Sequence, residues 1–299
     1  MPKIYIAQPT GFCFGVKRAI GLAKRGLKRY ERVCTYGELV HNPQVLKQLG
    51  AEGIKPVRRL SEAKNGVLVI RAHGCPQKVL AECKRLGIGV IDATCPYVRR
   101  VQHVVQRLAA DGYQVVVVGE KNHPEVKAIL AAAGRGARVM SPQGSLHQTN
   151  SRMHKKIGVV AQTTMDKAGF KAVVAKLLDF GYNELRVFDT ICAEVTARQE
   201  ATACLAKKVD AVIVVGGKNS ANTSRLTQIV RSGGKPVAHI AEPAELQLEL
   251  WLRFKRIGIA AGASTPAEVV KEIAQILRMP VVPTTRHEAQ PSFKEVVKR

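Results

Sequence analysis

The chain has 299 residues, of which 46% are hydrophobic and 23% are charged, a composition that excludes a largely disordered chain. Lys and Arg number 47 against 23 Asp and Glu, and the resulting formal charge of +24 favours anionic partners: phosphate esters, acidic proteins or nucleic acid. A solvated basic surface is the alternative. No apolar run approaches the ~20 residues that span a bilayer and no secretory signal is visible, so we expect a soluble cytoplasmic protein.

Short β-branched runs alternate with segments of helical spacing along the chain. Strands are predicted at residues 3–7, 67–71, 89–91, 114–118, 157–161, 211–215 and 256–260. Helices are predicted at residues 16–29, 76–86, 97–110, 166–179, 220–232 and 266–277. This alternation predicts an α/β fold with mostly parallel sheets.

The sequence also repeats itself. Residues 90–95 (VIDATC) resemble residues 187–192 (VFDTIC), and the same offset separates Gly119 from Gly216, each of which follows a predicted strand. Such repetition predicts similar structural units.

Three similar α/β units in a pseudo-threefold trefoil follow from this repeat. Their predicted bounds are residues 13–95 after a lead-in strand at 1–12, residues 96–192 and residues 193–282, with a C-terminal tail at 283–299. Because ligands collect beyond the carboxyl ends of parallel strands, we expect a shared central cleft. A duplicated fold without a shared site is the alternative.

Three cysteines, Cys13, Cys95 and Cys192, lie at equivalent edges of the predicted units. Thiolates hold iron–sulfur clusters, normally in sets of four. A cluster held by three would leave one iron open as a Lewis acid for a substrate oxygen. Three buried free cysteines are the alternative, because cysteine is common in protein cores.

Polar residues at the predicted strand ends indicate a diphosphate-sized anion pocket. These residues are His41, His73, His123, Ser220, Asn222 and Ser264. Ser220 also opens a predicted helix, where backbone N–H groups favour anions. Taken singly, each histidine is as well explained by an ordinary hydrogen-bonded role.

One acid, Glu125, stands beside these groups in the run His123-Pro124-Glu125. It could act as a general acid, with Thr163 and Thr164 at a neighbouring strand end relaying a proton. The alternative is an acid in the first turn of a helix, stabilised by the helix dipole.

Nine motifs follow one another between about residue 3 and residue 278: GFCFGVKRAI, LVHNPQV, AHG, DATCP, HPEV, AQTT, DTIC, GGKNSANTSRL and AGASTP. In order and spacing they resemble the LytB family of 4-hydroxy-3-methylbut-2-enyl diphosphate reductases. The resemblance implies a trefoil around a 4Fe–4S cluster that Cys13, Cys95 and Cys192 hold. The substrate's hydroxymethyl oxygen would then bind the fourth, open iron.

The same resemblance implies a chemistry and a partner. Glu125 and Thr163 would supply protons as the hydroxyl leaves, giving isopentenyl and dimethylallyl diphosphates in the last step of the methylerythritol phosphate route. The substrate contacts would be His41, His73, His123, Thr163, Ser220, Asn222 and Ser264. Electrons would come from an acidic ferredoxin or flavodoxin, which suits a basic surface.

Several positions depart from the family pattern. Glu194 and Val195 stand where Ala-Thr is usual after Cys192. Alanines replace polar residues or glycine at Ala128, Ala221, Ala260 and Ala267. Because second-shell groups tune clusters and orient ligands, these changes leave open a divergent paralogue that acts on a different anionic substrate. A basic nucleic-acid-binding protein is a weaker alternative, since aromatics are only 5%.

Overall fold

A computed structural model describes residues 1–142, 155–179 and 181–279. The predicted tail at 283–299 lies outside these residues. Within them the chain forms twelve β-strands and ten α-helices. No helix in this described part combines the length and the apolar character that crossing a bilayer requires.

Strands and helices alternate as the sequence predicts for an α/β fold. In chain order they are β1 (Lys3–Ile6), α1 (Phe14–Leu27), β2 (Val33–Tyr36), α2 (Pro43–Ala51), β3 (Ile54–Val57), β4 (Val67–Ile70), α3 (Gln77–Arg85), β5 (Gly89–Asp92), α4 (Pro96–Ala110), β6 (Gln114–Val118), α5 (Pro124–Ala133), β7 (Arg138–Met140), β8 (Lys156–Ala161), α6 (Lys167–Leu178), β9 (Glu184–Phe188), α7 (Ala193–Lys208), β10 (Ala211–Val215), α8 (Ala221–Ser232), β11 (Val237–Ile240), α9 (Leu248–Trp251), β12 (Arg256–Ala261) and α10 (Ala267–Ile276). Every predicted strand and helix is present, with ends shifted by at most a few residues.

The elements that sequence reasoning missed have weak periodic signals. They are β2, β3, β7, β9, β11, α2, α5, α7 and α9. Four of the missed strands, β3, β7, β9 and β11, are sheet edges, where polar residues and even Pro56 are tolerated. Helix α7 was missed because Arg198, Gln199 and Thr202 occupy its buried face and interrupt the apolar pattern.

The strands form three four-stranded parallel sheets. Their orders are β1-β12-β10-β11, β3-β2-β4-β5 and β7-β6-β8-β9. The predicted α/β class with parallel sheets is therefore correct. The unit boundaries at 13–95, 96–192 and 193–282, and the trefoil arrangement, stay predictions. The sheets add one detail: the lead-in strand β1 pairs with β12, so Lys3 lies opposite Arg256 and Ile6 opposite Ile259.

The described chain divides into two compact units. The first comprises Met1–Cys13, His41–Val45 and the chain from Glu194 onward, and it contains the sheet β1-β12-β10-β11. Its central strand β10 is buried throughout, as expected where helices cover both faces of a parallel sheet. Ile213 and Val215 enter one hydrophobic cluster, with residues of α10, and Val212 and Val214 enter the other, with residues of α8. The strand therefore alternates its side chains between two cores.

The second unit comprises Phe14–Val40 and Leu46–Ala193 and contains the other two sheets. Strand β6 repeats the alternation seen in β10. Val115 and Val117 pack with residues of α4 and α5, whereas Val116 and Val118 pack with residues of α6. In each sheet one edge strand leads to a cysteine. These strands, β1, β5 and β9, are more exposed than the buried central strands β6 and β10.

Replacing Val117 by Ala tests this burial, because the side chain is fully enclosed in the middle of its sheet. Losing two methyl groups and leaving a cavity should lower the free energy of unfolding by about 2 kcal/mol. The matched control is Val187→Ala in edge strand β9 of the same sheet, where the side chain is 42% exposed and the cost should stay within about 0.5 kcal/mol. Urea denaturation measures both values, and equal losses would contradict the described packing.

Candidate functional site

The three predicted cluster cysteines occupy the same local position. Helices α1, α4 and α7 each begin at the residue directly after Cys13, Cys95 or Cys192. All three cysteines are partly exposed. Backbone N–H groups and the helix dipole at such a terminus favour negative charge, and hence the thiolate form that a metal ligand must take.

The backbone of each cysteine is anchored in the same way. Its N–H group donates to the carbonyl oxygen two residues past the end of the neighbouring strand β12, β4 or β8. The three bonds are Cys13 to Ala263 (3.0 Å), Cys95 to Ala72 (2.9 Å) and Cys192 to Thr163 (2.9 Å). The repeat inferred from sequence therefore extends to the hydrogen bonding of each cysteine.

The other four cysteines have different surroundings. Cys34 and Cys83 lie in a hydrophobic core, and Cys204 is exposed. Burial raises the pKa of the Cys75 thiol to about 12, which keeps it protonated at neutral pH. Among the described residues, none of these cysteines stands directly before a helix, so the sequence-based distinction between the two groups has a structural counterpart.

In the second unit Glu125 and Thr163 lie in direct contact. The Thr163 N–H donates to Oε1 of Glu125 at 2.7 Å, and the Thr163 hydroxyl donates to Oε2 at 2.8 Å. Only 1% of Glu125 is exposed. Loss of solvation raises the pKa of this carboxyl from its ordinary value of 4.5 to about 7, although both hydrogen bonds from Thr163 act to lower it. Such a group is available as both an acid and a base near neutral pH.

Two predicted histidines adjoin this carboxyl. His123 precedes α5, and its Nδ1 accepts the backbone N–H of Glu125 at 3.2 Å. The ring of His73 meets the ring of His123 edge-on, with centroids 5.3 Å apart and an interplanar angle of 83°.

The second unit therefore joins six predicted residues in one network. From Cys192 it runs through Thr163 to Glu125, then through His123 to His73. His73 follows Ala72 in the chain, and Ala72 accepts the N–H of Cys95. The backbone hydrogen bonds of Cys192 and Cys95 therefore lie at the two ends of this series of contacts.

The first unit joins the remaining predicted residues. Ser264 follows Ala263, the acceptor of the Cys13 N–H, and its hydroxyl donates to the His41 carbonyl at 3.2 Å. A Cβ added at Gly217 would overlap that same carbonyl, so only glycine permits the loop after β10 to approach it. The Ser220 N–H in turn donates to the Gly217 carbonyl at 3.0 Å.

Helix α8 begins at this loop and carries two predicted ligands. The hydroxyl of Ser220 caps it by accepting the Thr223 N–H at 3.3 Å. Asn222 is only 4% exposed, and neither its amide oxygen nor its amide nitrogen has a hydrogen-bond partner among the described residues. Because buried amides are normally satisfied, this side chain is suited to binding a polar ligand.

Sequence reasoning overlooked Gln162. This residue is almost fully buried, and its Oε1 accepts the Glu120 N–H at 2.9 Å while its Nε2 donates to the Thr164 hydroxyl at 2.7 Å. It ties the loop that leads to Glu125 to the strand end that carries Thr163. A glutamine inside the strand-end motif AQTT was the available signal.

The departures from the family pattern fall into three groups. Ala128 and Ala260 are buried core residues, each only 1% exposed. Val195 and Glu194 occupy the first turn of α7, and Ala221 opens α8, next to the predicted ligands. Ala267 lies against Gly11, where an added Cβ would come within 3.3 Å of the Ala267 Cβ.

Comparison with known proteins identifies relatives over nearly the whole chain. A family model described as LytB protein matches residues 4–278. A relative from Aquifex aeolicus, named 4-hydroxy-3-methylbut-2-enyl diphosphate reductase, is 41% identical over 278 residues, which covers 91% of this chain and 95% of the relative. A relative of the same name from Geobacter sulfurreducens is 40% identical over 274 residues, covering 91% and 96%.

Two solved structures are also similar. One is described as (E)-4-hydroxy-3-methyl-but-2-enyl diphosphate reductase, the terminal enzyme of the non-mevalonate pathway; it is 40% identical, has a TM-score of 0.68 and covers 93% of this chain and 99% of its own. The other, the E-1-hydroxy-2-methyl-but-2-enyl-4-diphosphate reductase of Plasmodium falciparum, is 26% identical with a TM-score of 0.87 over 99% and 98%. With the family match over residues 4–278 and identity near 40% across more than nine-tenths of the chain, the protein belongs to the LytB family.

Proposed function

We propose that this protein reductively removes the hydroxyl group of (E)-4-hydroxy-3-methylbut-2-enyl diphosphate. The products would be isopentenyl and dimethylallyl diphosphates, in the last step of the methylerythritol phosphate route. Membership of the LytB family and the names of its relatives support this substrate. The observation that carries the proposal is the buried contact between Glu125 and Thr163, which provides an acid that titrates near neutrality and a hydroxyl beside it.

The cofactor of this proposal is a 4Fe–4S cluster held by Cys13, Cys95 and Cys192. The donor set fits, because these three thiols are partly exposed and each directly precedes a helix. Cys75, which burial keeps protonated, lacks these properties. When bound, the cluster would supply electrons and, at an iron without a cysteine ligand, a Lewis acid for the departing oxygen.

Glu125 would hold and deliver a proton at a defined atom. Its Oε1 accepts the fixed N–H of Thr163, so an acidic proton belongs on Oε2, 2.8 Å from the Thr163 hydroxyl oxygen. That hydroxyl can accept the Glu125 proton while passing on its own, which makes it a relay. The leaving hydroxyl departs as water and a hydrogen replaces it, a change that consumes an electron pair and two protons.

The diphosphate contacts of this proposal are the polar residues that the sequence pattern indicates. Ser220 and Asn222 lie at the start of α8, where backbone N–H groups favour an anion. The buried amide of Asn222 supports this role, because it has no hydrogen-bond partner in the described part of the chain. His41, His73, His123 and Ser264 would complete the substrate contacts, together with Thr163. An acidic ferredoxin or flavodoxin is the proposed electron donor, since a formal charge of +24 complements it.

Replacing Glu125 by Gln tests the proton delivery. The amide can accept the Thr163 N–H and donate to its hydroxyl, so the fold and the cluster should remain while turnover falls by about 10²-fold or more. The measurement is the anaerobic rate of product formation from hydroxymethylbutenyl diphosphate with a strong reductant.

The matched control is Glu120→Gln, because this neighbouring acid is exposed and should leave the rate unchanged. Equal rates for Glu125→Gln and the parent would remove Glu125 from the mechanism. A parent protein with a full cluster and no turnover would instead favour the paralogue alternative, which Glu194, Val195 and Ala221 motivate.

Replacing Cys95 by Ser tests the ligand assignment separately from activity. A hydroxyl is a poor ligand for cluster iron, so iron and sulfide per chain should fall to a small fraction of the parent value after anaerobic reconstitution. Cys204→Ser is the control, because Cys204 is exposed and has no proposed role. Unchanged iron in Cys95→Ser would refute this part of the proposal.

The raised pKa of Glu125 also predicts a pH dependence of stability. Between about pH 4.5 and pH 7 the folded protein keeps a proton on Glu125 that the unfolded chain releases, so stability falls as the pH rises through this window. The side chain in Glu125→Gln stays neutral and serves as the reference. Relative to it, the free energy of unfolding of the metal-free parent should fall by up to about 3 kcal/mol across this window and stay constant above pH 7. Urea titrations from pH 4 to pH 8 measure the difference, and a pH-independent difference would contradict the burial argument.

A further inference from the structure

Arg198 is a charged residue on the buried face of α7. Only 3% of it is exposed, and it shares that face with Val195, Thr202 and Leu205. Burying a guanidinium is costly unless its N–H groups find acceptors, so the bonds that it makes indicate what it is for.

The acceptors of Arg198 lie in the loop that leads to Cys13. Its Nη1 donates to the Pro9 carbonyl at 3.0 Å, and its Nη2 donates to the Gly11 carbonyl at 2.7 Å. A longer contact, at 3.4 Å, joins Nη1 to the carbonyl of Ala261 at the end of β12. The planar fork of the guanidinium thus spans two carbonyls of one loop and touches the strand beside it.

Each of the other two cysteine loops contains an aspartate that closes a turn within the loop. These loops also bond to other elements: Arg18 of α1 donates to the Thr94 carbonyl at 3.1 Å, and the Thr190 hydroxyl donates to the Ala161 carbonyl at 2.6 Å. Three residues before Cys95, the Asp92 carboxylate accepts the Thr94 N–H at 2.8 Å. Three residues before Cys192, the Asp189 carboxylate accepts the Ile191 N–H at 3.1 Å. Each aspartate therefore closes a turn immediately before its cysteine.

The Cys13 loop has no acid at the matching position, which Thr10 occupies. Its Gly11 adopts a φ of +80°, and an added Cβ there would come within 3.3 Å of the Ala267 Cβ. The backbone N–H of Cys13 bonds to the Ala263 carbonyl, and the two bonds from Arg198 hold the same loop to α7.

We propose that Arg198 is a positioning residue for Cys13. It fixes, from a different element, the loop conformation that Asp92 and Asp189 fix locally in the other two loops. The inference rests on the proposed function, since the position of the Cys13 sulfur matters most if that sulfur is a cluster ligand. A ligand on a loosened loop leaves its metal more readily, because its placement is no longer held by the surrounding bonds.

Two substitutions separate geometry from charge. Arg198→Lys keeps a positive charge but cannot span both carbonyls with a planar fork, and Arg198→Gln removes the charge as well. Leu205→Ala is the control, because Leu205 lies on the same helix in a hydrophobic cluster and its truncation destabilises the unit without removing a polar bond to the loop.

The first measurement is the half-time of iron release from the anaerobically reconstituted proteins in excess chelator. We expect release on the order of tenfold faster in both Arg198 variants, the usual scale for losing a group that orients a metal ligand. In Leu205→Ala, at a matched decrease in melting temperature, release should stay within about twofold of the parent. The EPR spectrum of the reduced cluster should change in the Arg198 variants alone.

The second measurement is amide hydrogen exchange in the metal-free proteins. Residues 7–13 should exchange faster in the Arg198 variants, while peptides containing Cys95 and Cys192 keep the parent rates. Parent-like exchange at residues 7–13 in Lys and Gln variants alike, or release no faster than in Leu205→Ala, would overturn the proposal. If the parent protein binds no iron, the proposed function is refuted instead. If the parent binds iron and the half-time of iron release is unchanged in both variants, only the Arg198 assignment is overturned.

Discussion

A backbone hydrogen bond, made three times, is the constraint on which the candidate site depends. Each of the three cysteines donates its N–H to a carbonyl two residues past the end of the neighbouring parallel strand. The bond places a thiol at a helix start and, in the same turn, places the residue that follows the acceptor carbonyl. That following residue is His73, Thr164 or Ser264. One repeated local arrangement therefore positions each proposed metal ligand and, beside two of them, a proposed anion ligand, His73 or Ser264.

The chemistry at Glu125 results from competition between burial and hydrogen bonding. Two bonds from Thr163 stabilise the ionised carboxylate, whereas the removal of water destabilises it by more, so the pKa rises to about 7. Because its pKa lies near 7, the buried carboxyl can both release and take up a proton at neutral pH. A more exposed carboxyl with the same two bonds would remain ionised and could not donate.

The cysteine loops differ in the side chains that hold them. Two of the loops contain an aspartate that closes a turn within the loop, in addition to bonds with other elements such as the one from Arg18 to the Thr94 carbonyl. The third begins at the chain's first strand, β1, whose sheet partner β12 lies near the other end of the described chain. Arg198 comes from this later part of the sequence as well, so the loop before Cys13 is built from segments that only folding brings together.

The amino-acid sequence by itself determined the α/β class, the principal strands and helices, the internal repeat and the family resemblance, because these depend on local periodicity and on the order of motifs. Only the folded chain shows the pairing of β1 with β12, the burial of Glu125 and the burial of Arg198 on α7. Those features join residues that are distant in the chain, and burial depends on what the remaining elements cover. A sequence pattern shows which residues these are, but it does not show how deeply they are buried. Burial removes the water around them, which raises the pKa of Glu125 and makes hydrogen-bond acceptors necessary for Arg198.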